Sequence, residues 1–353
     1  MKKSTLALIA VLIVSLFSLS LASAQSGTPE ATAAAVDKTG WPDTFIIGVY
    51  PGDNIDKALA QNQPLADYLT KELGVRTVVI TGTSYNAVIE AMRAGRADAF
   101  EVGPFSYLIA AEQANAEALV VGNYFTDVNT NILPGYYSVI FTKKGSGIKT
   151  IDDLKGKTFS FSDPASTSGY EIPATDIMDA EGFTSKDQLD AFFGQVIFAG
   201  SHPASVIAVA NGKVDAGATF DANLSDQVKA GYPVCGVPDG DYTHNPFATG
   251  KMTQDQIDQI YNDCPDGELA VIHQSNVIPN TPFAINKNLP QSFKDAVKAA
   301  LLDLANHQDV VDALGRYYID VTKVDPSFKS NDAYFDGLRN VATKLGLDLS
   351  LPS

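Results

Sequence analysis

From Thr44 onward, short apolar runs alternate with longer segments whose apolar residues recur at helical spacing. Thr44–Val49 and Thr77–Ile80 have the composition of strands, while Ala58–Leu73 and Tyr85–Arg93 have the spacing of helices. Such alternation predicts mostly parallel sheets covered by helices, because a helix makes each crossover between parallel strands. The chain is therefore expected to have an α/β fold.

The same alternation recurs further along the chain. Strands are predicted at Tyr137–Thr142 and Thr158–Ser162, helices after Ser166 and Ser205, and the last stretch, Gln291–Leu347, is largely helical in pattern. With 353 residues, 45% of them hydrophobic, the chain is long enough for roughly two domains.

One ten-residue pattern occurs twice. Ala91–Phe100 reads Ala-Met-Arg-Ala-Gly-Arg-Ala-Asp-Ala-Phe, and Ala208–Gly217 reads Ala-Val-Ala-Asn-Gly-Lys-Val-Asp-Ala-Gly. In both, a helix should end at a glycine that accepts the left-handed cap conformation, and a basic residue and an aspartate then lead into a short strand. The repeat predicts two similar α/β lobes; chance similarity of two helix-to-strand corners is the alternative.

Ligands in open α/β sheets bind beyond the carboxyl ends of strands, so the residues after each repeat should face a shared cleft. These residues are Glu101–Pro104 and Thr219–Asp221. We expect the carboxylate of Glu101 to lie at the solvated rim of the cleft.

Two turn-rich points, Pro134-Gly135 and Ile278–Asn280, are where the chain could cross between lobes. We expect the first lobe to comprise residues 41–135 and 280–353, with the second lobe, residues 136–279, inserted between them.

The first residues have the layout of a secretory signal. A basic start and an apolar run, Leu6–Leu21, precede the small residues Ala22-Ser23-Ala24. We interpret residues 1–24 as a signal peptide, with an uncleaved membrane anchor as the alternative, and residues 25–40 as a flexible leader that ends near Trp41. The mature protein is then expected in the periplasm or at the cell exterior.

Charge and cysteine content exclude several classes of function. The net charge is −16, and it becomes −18 when a signal carrying two lysines and no acids is removed, which argues against nucleic-acid binding by phosphate neutralisation. Two cysteines, Cys235 and Cys264, are too few for a zinc cluster. Export favours a disulfide between them, with two unpaired thiols as the alternative.

The segment Asp163–Tyr170 follows a predicted strand and opens a predicted helix. Its hydroxyls, on Ser166, Thr167 and Ser168, can combine with the free N–H groups and the dipole of the helix to bind a tetrahedral oxyanion. Simple N-capping by Ser166 or Thr167 is the alternative.

Because the sequence has no basic cluster, an anion would have to be bound by neutral donors. His202, near the start of a predicted helix, and the phenols of Tyr85 and Tyr136 are candidates. A structural or solvated histidine and simply packed tyrosines are the alternatives.

Several motifs now point to one family. Asp-Pro-x-Ser-Thr-Ser-Gly is the most specific of them, and five segments occur in order: Gly135–Val139, Ile151–Lys157, Ser166–Gly169, Ser201–Ser205 and Ile278–Phe283. From about Thr44 to Leu301 the chain resembles the phosphonate, phosphite and phosphate substrate-binding proteins of ABC importers. The resemblance implies the two-lobed periplasmic-binding-protein fold (type II) with the ligand in the cleft between the lobes.

The resemblance also implies roles for particular residues. Three hydroxyls would hold the oxyanion and three further side chains would close around it: Ser166, Thr167 and Ser168, then His202, Tyr85 and Tyr136. The expected partners are a small phosphorus oxyanion and a membrane permease, with no nucleic acid and no cofactor, and we expect a monomer. A binding subunit that signals to a membrane sensor would share the same site.

The sequence departs from the family pattern at the positions that bind an ammonium group. Members that prefer aminoalkyl phosphonates have two carboxylates, whereas this chain has Thr281 at one position and Asn223 nearest the other. Aminoethylphosphonate specificity is therefore not expected. Asp221, two residues before Asn223, could instead accept a hydrogen bond from a protonated oxyanion, or could simply cap a helix.

A hypothesis from a different class is an exported hydrolase. Ser166 or Ser168 would be the nucleophile, His202 the base and Asp221 the orienting carboxylate. The sequence contains neither Gly-x-Ser-x-Gly nor His-Glu-x-x-His.

Overall fold

The larger compact unit of the chain begins at Lys38. The structure is a computed structural model, and it describes residues 37–50, 52, 55–124, 128–129 and 133–349. The proposed signal peptide, 1–24, and the leader up to residue 36 lie outside the described residues. The compact unit starts at Lys38, whose ammonium group donates to the Leu73 carbonyl at 2.9 Å. Among the described residues, no helix has the length and apolar content needed to cross a membrane.

In the part of the chain that the structure describes, strands form three sheets. They are β1 (Thr44–Val49), β2 (Arg76–Thr81), β3 (Ala99–Glu101), β4 (Ala116–Tyr124), β5 (Val128–Asn129), β6 (Pro134–Tyr136), β7 (Ser138–Lys143), β8 (Thr158–Phe161), β9 (Gln195–Phe198), β10 (Ala216–Phe220), β11 (Leu269–Gln274), β12 (Ile278–Pro279), β13 (Pro282–Asn286) and β14 (Arg316–Ile319). The sheet orders are β14-β4-β13-β3-β1-β2, β11-β7-β10-β8-β9 and β12-β6-β5.

The two large sheets are mixed, with most strands running in one direction. In the first, β13 and β14 run against the other strands, and in the second only β7 does so. The predicted two-lobed α/β architecture is confirmed, with one sheet in each lobe.

Helices cover both large sheets. They are α1 (Ile55–Leu73), α2 (Tyr85–Arg93), α3 (Pro104–Gln113), α4 (Ile172–Glu181), α5 (Lys186–Phe192), α6 (His202–Ala210), α7 (Asp221–Lys229), α8 (Pro246–Thr249), α9 (Gln254–Asp263), α10 (Gln291–Asp303), α11 (Gln308–Leu314), α12 (Val321–Val324) and α13 (Asp336–Lys344). A π-helical turn, Thr167–Glu171, leads directly into α4.

The elements predicted from periodicity are present at nearly their predicted bounds, β1 and α2 without any change. The exception is Gln291–Leu347, which is largely helical but contains β14, at the edge of the first sheet. This strand is only four residues long and follows α11 directly at Gly315. A segment this short has too few residues to show the alternation of a strand. Periodicity therefore assigns it to the helical segments on either side.

The two copies of the ten-residue pattern have the same structure. Gly95 and Gly212 follow α2 and α6 with φ of 67° at each, as the left-handed cap requires. The aspartates then bond to the neighbouring parallel strand: Asp98 accepts from the Ile46 N–H at 2.9 Å, and Asp215 accepts from the Thr158 N–H at 2.8 Å. Each aspartate fixes the register at which its strand enters the sheet.

The two predicted crossing points lie side by side. β6 pairs with β12 in antiparallel register, with Gly135 opposite Pro279 and Tyr136 opposite Ile278. A β-carbon at Gly135 would stand 2.8 Å from the Ile278 carbonyl oxygen, so only glycine allows this close approach. The chain therefore passes between the two large sheets through a hydrogen-bonded pair of short strands.

Cys235 and Cys264 form a disulfide in the second lobe, with their Cα atoms 5.5 Å apart. The bond joins the segment after α7 to the end of α9, and both cysteines are buried. A crosslink over 29 residues lowers the entropy of the unfolded chain.

We predict that replacing both cysteines, Cys235→Ser with Cys264→Ser, lowers the free energy of unfolding by about 3–4 kcal/mol, because the closed loop is lost. Urea unfolding followed by circular dichroism measures the change. The native protein under reducing conditions is the control and should show the same loss. An unchanged unfolding midpoint in both experiments would contradict the prediction.

Candidate functional site

A cavity of about 190 Å³ lies where the strands of both large sheets end. All seven side chains singled out from the sequence line it: Tyr85, Tyr136, Ser166, Thr167, Ser168, His202 and Asp221. Residues after both copies of the ten-residue pattern also line it, Glu101–Gly103 from one lobe and Phe220–Ala222 from the other. Among the described residues, neither lysine nor arginine lines this cavity.

Helix N-termini from both lobes point at the cavity. Lining residues stand at the first turn or N-cap of α2, α3, the π-helical turn, α6 and α7. Helix N-termini carry unpaired N–H groups and the positive end of the helix dipole. Their convergence brings N–H donors and the positive ends of helix dipoles to the cavity without a cationic side chain among the described lining residues.

The motif Asp-Pro-x-Ser-Thr-Ser-Gly forms a tight turn in the wall of the cavity. Ser166 is the N-cap of the π-helical turn, and its hydroxyl accepts the Gly169 N–H at 3.1 Å. A β-carbon at Gly169 would lie 2.5 Å from the Ser162 side chain and 2.8 Å from the Ser166 hydroxyl, which explains the glycine. Ser166 therefore caps the helix and also lines the cavity, so N-capping does not exclude the predicted binding role.

The turn makes contacts with the first lobe. The Thr167 hydroxyl accepts the Phe105 N–H at 2.9 Å, and the Ser106 hydroxyl donates to the Ala165 carbonyl at 2.7 Å. Both donors belong to the first turn of α3. In this structure the helix start in one lobe thus bonds directly to the motif in the other.

The two predicted phenols also contact the motif. Tyr85 lies within hydrogen-bonding reach of Ser166, and Tyr136 within reach of Thr167 and Ser168. Burial raises the pKa of both phenols, which keeps them protonated. They remain hydrogen-bond donors at physiological pH.

His202, the first residue of α6, is buried among hydroxyl groups. Its Nε2 lies 3.1 Å from the Ser166 hydroxyl, and its Nδ1 lies 3.2 Å from the hydroxyls of Ser162 and Thr219. Burial lowers the pKa of His202 to about 3, so the imidazole is neutral and contributes hydrogen bonds rather than charge.

Asp221, the first residue of α7, has a buried carboxylate. Its two oxygens accept the N–H groups of Tyr137 at 2.9 Å and Ala222 at 2.7 Å. Burial raises the pKa of Asp221 to about 7, although these hydrogen bonds oppose the shift. Each oxygen keeps capacity for another hydrogen bond, so the group both stabilises the helix start and faces the cavity.

These contacts do not support the hydrolase hypothesis. Ser166 and His202 are within hydrogen-bonding distance, but the other imidazole nitrogen faces two hydroxyls. The Asp221 carboxylate is bonded to backbone N–H groups instead. A catalytic triad requires the carboxylate to orient the histidine, and this arrangement places it elsewhere.

The expectation that Glu101 is a solvated rim carboxylate is wrong. Glu101 is 5% exposed and accepts from Arg316 at 2.8 Å, from the Tyr318 phenol at 2.8 Å and from the Tyr124 phenol at 2.6 Å. Arg316 lies on β14, the strand that periodicity did not predict. The sequence gives no local signal for a pair separated by 215 positions.

Two further acids are buried near the cavity. Asp163 precedes the serines of the motif, and Glu171 ends the π-helical turn; burial raises the pKa of both carboxyl groups. The Glu171 side chain is fully buried, and neither of its oxygens has a hydrogen-bond partner among the described residues. The sequence did not predict that these two carboxyl groups are buried, because their environment depends on tertiary packing.

Comparisons of sequence identify relatives with a named role. The chain is 29% identical over 290 residues to the phosphate-import protein PhnD of Mycolicibacterium smegmatis. The aligned region covers 81% of this chain and 79% of that protein. It is 27% identical over 255 residues to the phosphonates-binding periplasmic protein of Escherichia coli. That aligned region covers 71% of this chain and 63% of that protein.

A solved structure has the same fold. PhnD1 from Prochlorococcus marinus, solved in complex with methylphosphonate, superimposes with a TM-score of 0.63 at 18% identity and covers 86% of this chain and 99% of its own. The family profile described as "ABC transporter, phosphonate, periplasmic substrate-binding protein" matches residues 47–327. The chain therefore belongs to the family of periplasmic substrate-binding proteins of phosphonate ABC transporters.

Proposed function

We propose that this protein captures a small phosphorus oxyanion, a phosphonate, phosphite or phosphate, outside the cytoplasm and delivers it to an ABC permease. The observation that carries the proposal is the turn at Ser166–Ser168, whose hydroxyls line a cavity at which several helix N-termini converge. Such a site suits a small tetrahedral anion, because hydroxyl and amide donors replace its hydration without fixing a second charge.

We propose that the oxyanion is bound by the side chains that line this part of the cavity. Donors come from the Ser166, Thr167 and Ser168 turn, with Tyr85, Tyr136 and His202 around it. His202 serves as a neutral ligand because its pKa is lowered to about 3. No covalent step is needed, and the role is that of a receptor rather than an enzyme.

We propose a first lobe of residues 41–135 and 280–353 and a second lobe of 136–279, which move about the paired crossing strands. Sheet membership supports these bounds: the first sheet takes strands from β1 to β4 and from β13 to β14, and the second from β7 to β11. The contacts from α3 to the motif, at Phe105 and Ser106, then join the lobes when they are closed.

Export and a monomeric state are further parts of the proposal. The basic and apolar start of the sequence supports secretion by a signal at residues 1–24, and membership of a periplasmic family agrees with it. The permease is the partner that such a receptor needs to release its ligand across the membrane.

The ligand-binding role predicts that Ser166→Ala and Thr167→Ala each weaken binding by about 1–3 kcal/mol, because each removes a hydroxyl partner from a buried charge. Calorimetric titration of the mature protein with phosphate, phosphite and methylphosphonate measures the loss.

Ser185→Ala is a matched control for the serine variant. Ser185 is also a helix N-cap, on α5, but it does not line the cavity. This variant should lose helix-capping energy and retain affinity. Unchanged affinity in both motif variants would exclude the motif from the site, and failure of all three ligands to bind the native protein would refute the proposed function.

Asp221 gives the site a dependence on protonation. Near its pKa of about 7 it can donate a proton to a fully ionised oxyanion, or accept a hydrogen bond from one that carries a proton. In either case the carboxyl group and the ligand share one proton. When both are ionised they repel each other, so a fully deprotonated pair is disfavoured.

We therefore predict that affinity for methylphosphonate falls as the pH rises above about 7, by up to about tenfold per unit, because the shared proton is lost. Titrations between pH 6 and 9 measure the slope. Asp221→Asn should flatten the part of the slope that is not due to the ligand's own ionisation.

Sulfate, which carries no proton, should bind the native protein more weakly than methylphosphonate at pH 8. Equal affinity for the two anions would contradict this role of Asp221.

A further inference from the structure

The Cys235–Cys264 disulfide lines a cavity of its own in the second lobe. This disulfide cavity has a volume of about 540 Å³, and Asp263 and Glu268 line it together with both cysteines. It shares no described lining residue with the cavity at the Ser166–Ser168 turn. A ligand of the disulfide cavity would therefore be separate from the proposed oxyanion.

The lining of the disulfide cavity favours a cation. Its charged members are the carboxylates of Asp263 and Glu268, and neither lysine nor arginine is among the described residues that line it. The other lining residues are apolar, among them Val228, Val234 and Ile260. Two carboxylates with apolar neighbours and no cationic lining residue attract positive charge.

Glu268 lies directly against the disulfide. Its carboxylate oxygen Oε2 is 3.3 Å from the Cys235 Sγ atom. A disulfide sulfur carries no proton, so it cannot donate a hydrogen bond to this oxygen. The disulfide alone therefore gives no reason for a carboxylate at this position, whereas a cation between the sulfur and oxygen atoms would.

The two cysteines and Glu268 have the spacing of a metal-ligand set. Each residue offers one ligand atom, and the three atoms lie within 4.8 Å of one another. Two cysteines alone are too few for a zinc site, and the structure adds the carboxylate. In a tetrahedral zinc site the thiolate sulfurs stand about 3.8 Å apart, so side-chain rotation after reduction needs to separate them by only about 1.8 Å more. Water would take the fourth position.

Backbone hydrogen bonds hold the three ligands independently of the disulfide. The Cys235 N–H donates to the Leu269 carbonyl at 2.9 Å, and the Cys264 N–H donates to the Tyr261 carbonyl at 3.3 Å, at the end of α9. The Glu268 carbonyl accepts a backbone N–H at 2.8 Å. The ligands should therefore keep their places when the sulfur–sulfur bond is broken, which makes the site preformed.

We infer that Cys235, Cys264 and Glu268 form a redox-controlled metal site, which is closed while the disulfide is intact and binds a thiophilic divalent cation such as Zn²⁺ when it is reduced. Reduction adds two electrons and two protons to the disulfide and gives two thiols. Each thiol loses its proton when it binds the ion. A dithiol is the class of reductant that opens the site, and it becomes a disulfide in exchange.

The experiment compares two redox states of the same mature protein. One sample is reduced with a phosphine, which takes oxygen from water and becomes a phosphine oxide while the two sulfurs take the hydrogens; the reagent is then removed under nitrogen. Calorimetric titration should show one Zn²⁺ site per chain in the reduced protein, with binding at least about a hundredfold tighter than in the oxidised protein, because thiolates are ligands and disulfide sulfurs are not. Co²⁺ should show the absorption of tetrahedral thiolate coordination in the reduced sample alone.

The oxidised protein is the matched control, because it keeps every carboxylate and histidine of the chain. Glu268→Gln tests the third ligand: in the reduced protein it should weaken Zn²⁺ binding by at least about tenfold, since loss of an outer-shell partner alone has such an effect. Asp263→Asn removes the other carboxylate of the cavity, which is not one of the three close ligand atoms. This variant should change the affinity less than Glu268→Gln does.

Three results would overturn the inference. They are equal Zn²⁺ affinity in the two redox states, a loss in Glu268→Gln no greater than that in Asp263→Asn, and a reduced protein whose circular dichroism is that of an unfolded chain before zinc is added. Methylphosphonate binding by the oxidised protein tests the proposed function separately, because the two cavities share no described lining residue.

Discussion

Removing an anion from water is unfavourable unless polar groups replace its hydration shell, and the polar groups that this cleft offers for the purpose are dipoles. The cavity wall contains hydroxyls, phenols, a neutral imidazole and several helix N-termini. Arg316, a buried cation, is paired with Glu101 and also donates to the Tyr318 phenol, the Leu314 carbonyl and Asn62. Because dipoles act only at short range, these groups must lie close to any anion that the cavity binds.

Burial and pairing of the acids near the cavity are compatible with the proposed anion site. Asp163 and Glu171 have raised pKa values because they are buried, which favours their neutral form. Asp221, with a pKa near 7, is balanced between forms, and Glu101 is neutralised by a cation. Burial and ion pairing thus both act against negative charge on these carboxyl groups, in a chain of net charge −16.

Sequence patterns predicted the fold and the residues that line the cavity around the Ser166–Ser168 turn, because both are encoded locally. The bounds of β1 and α2 follow from apolar spacing, and the Ser166–Ser168 turn follows from a contiguous motif. The Glu101–Arg316 pair depends on β14 reaching the edge of the first sheet, next to β4. Its partners lie 215 positions apart, and neither segment alone indicates the other, so the sequence could not show that Glu101 is buried.

The repeated corner shows why architecture is easier to predict than specificity. Asp98 and Asp215 make equivalent hydrogen bonds to the neighbouring strand, so both lobes send a strand into the cleft and begin a helix directly after it. Backbone geometry is therefore the same in both halves, and it fixes where a helix N-terminus will stand. The side chains at those ends differ: one lobe offers Glu101 before α3, and the other offers Asp221 at the start of α7. Backbone geometry thus accounts for the helix N-termini that meet at the cavity, whereas the acids beside them, Glu101 and Asp221, depend on which residue stands at each position.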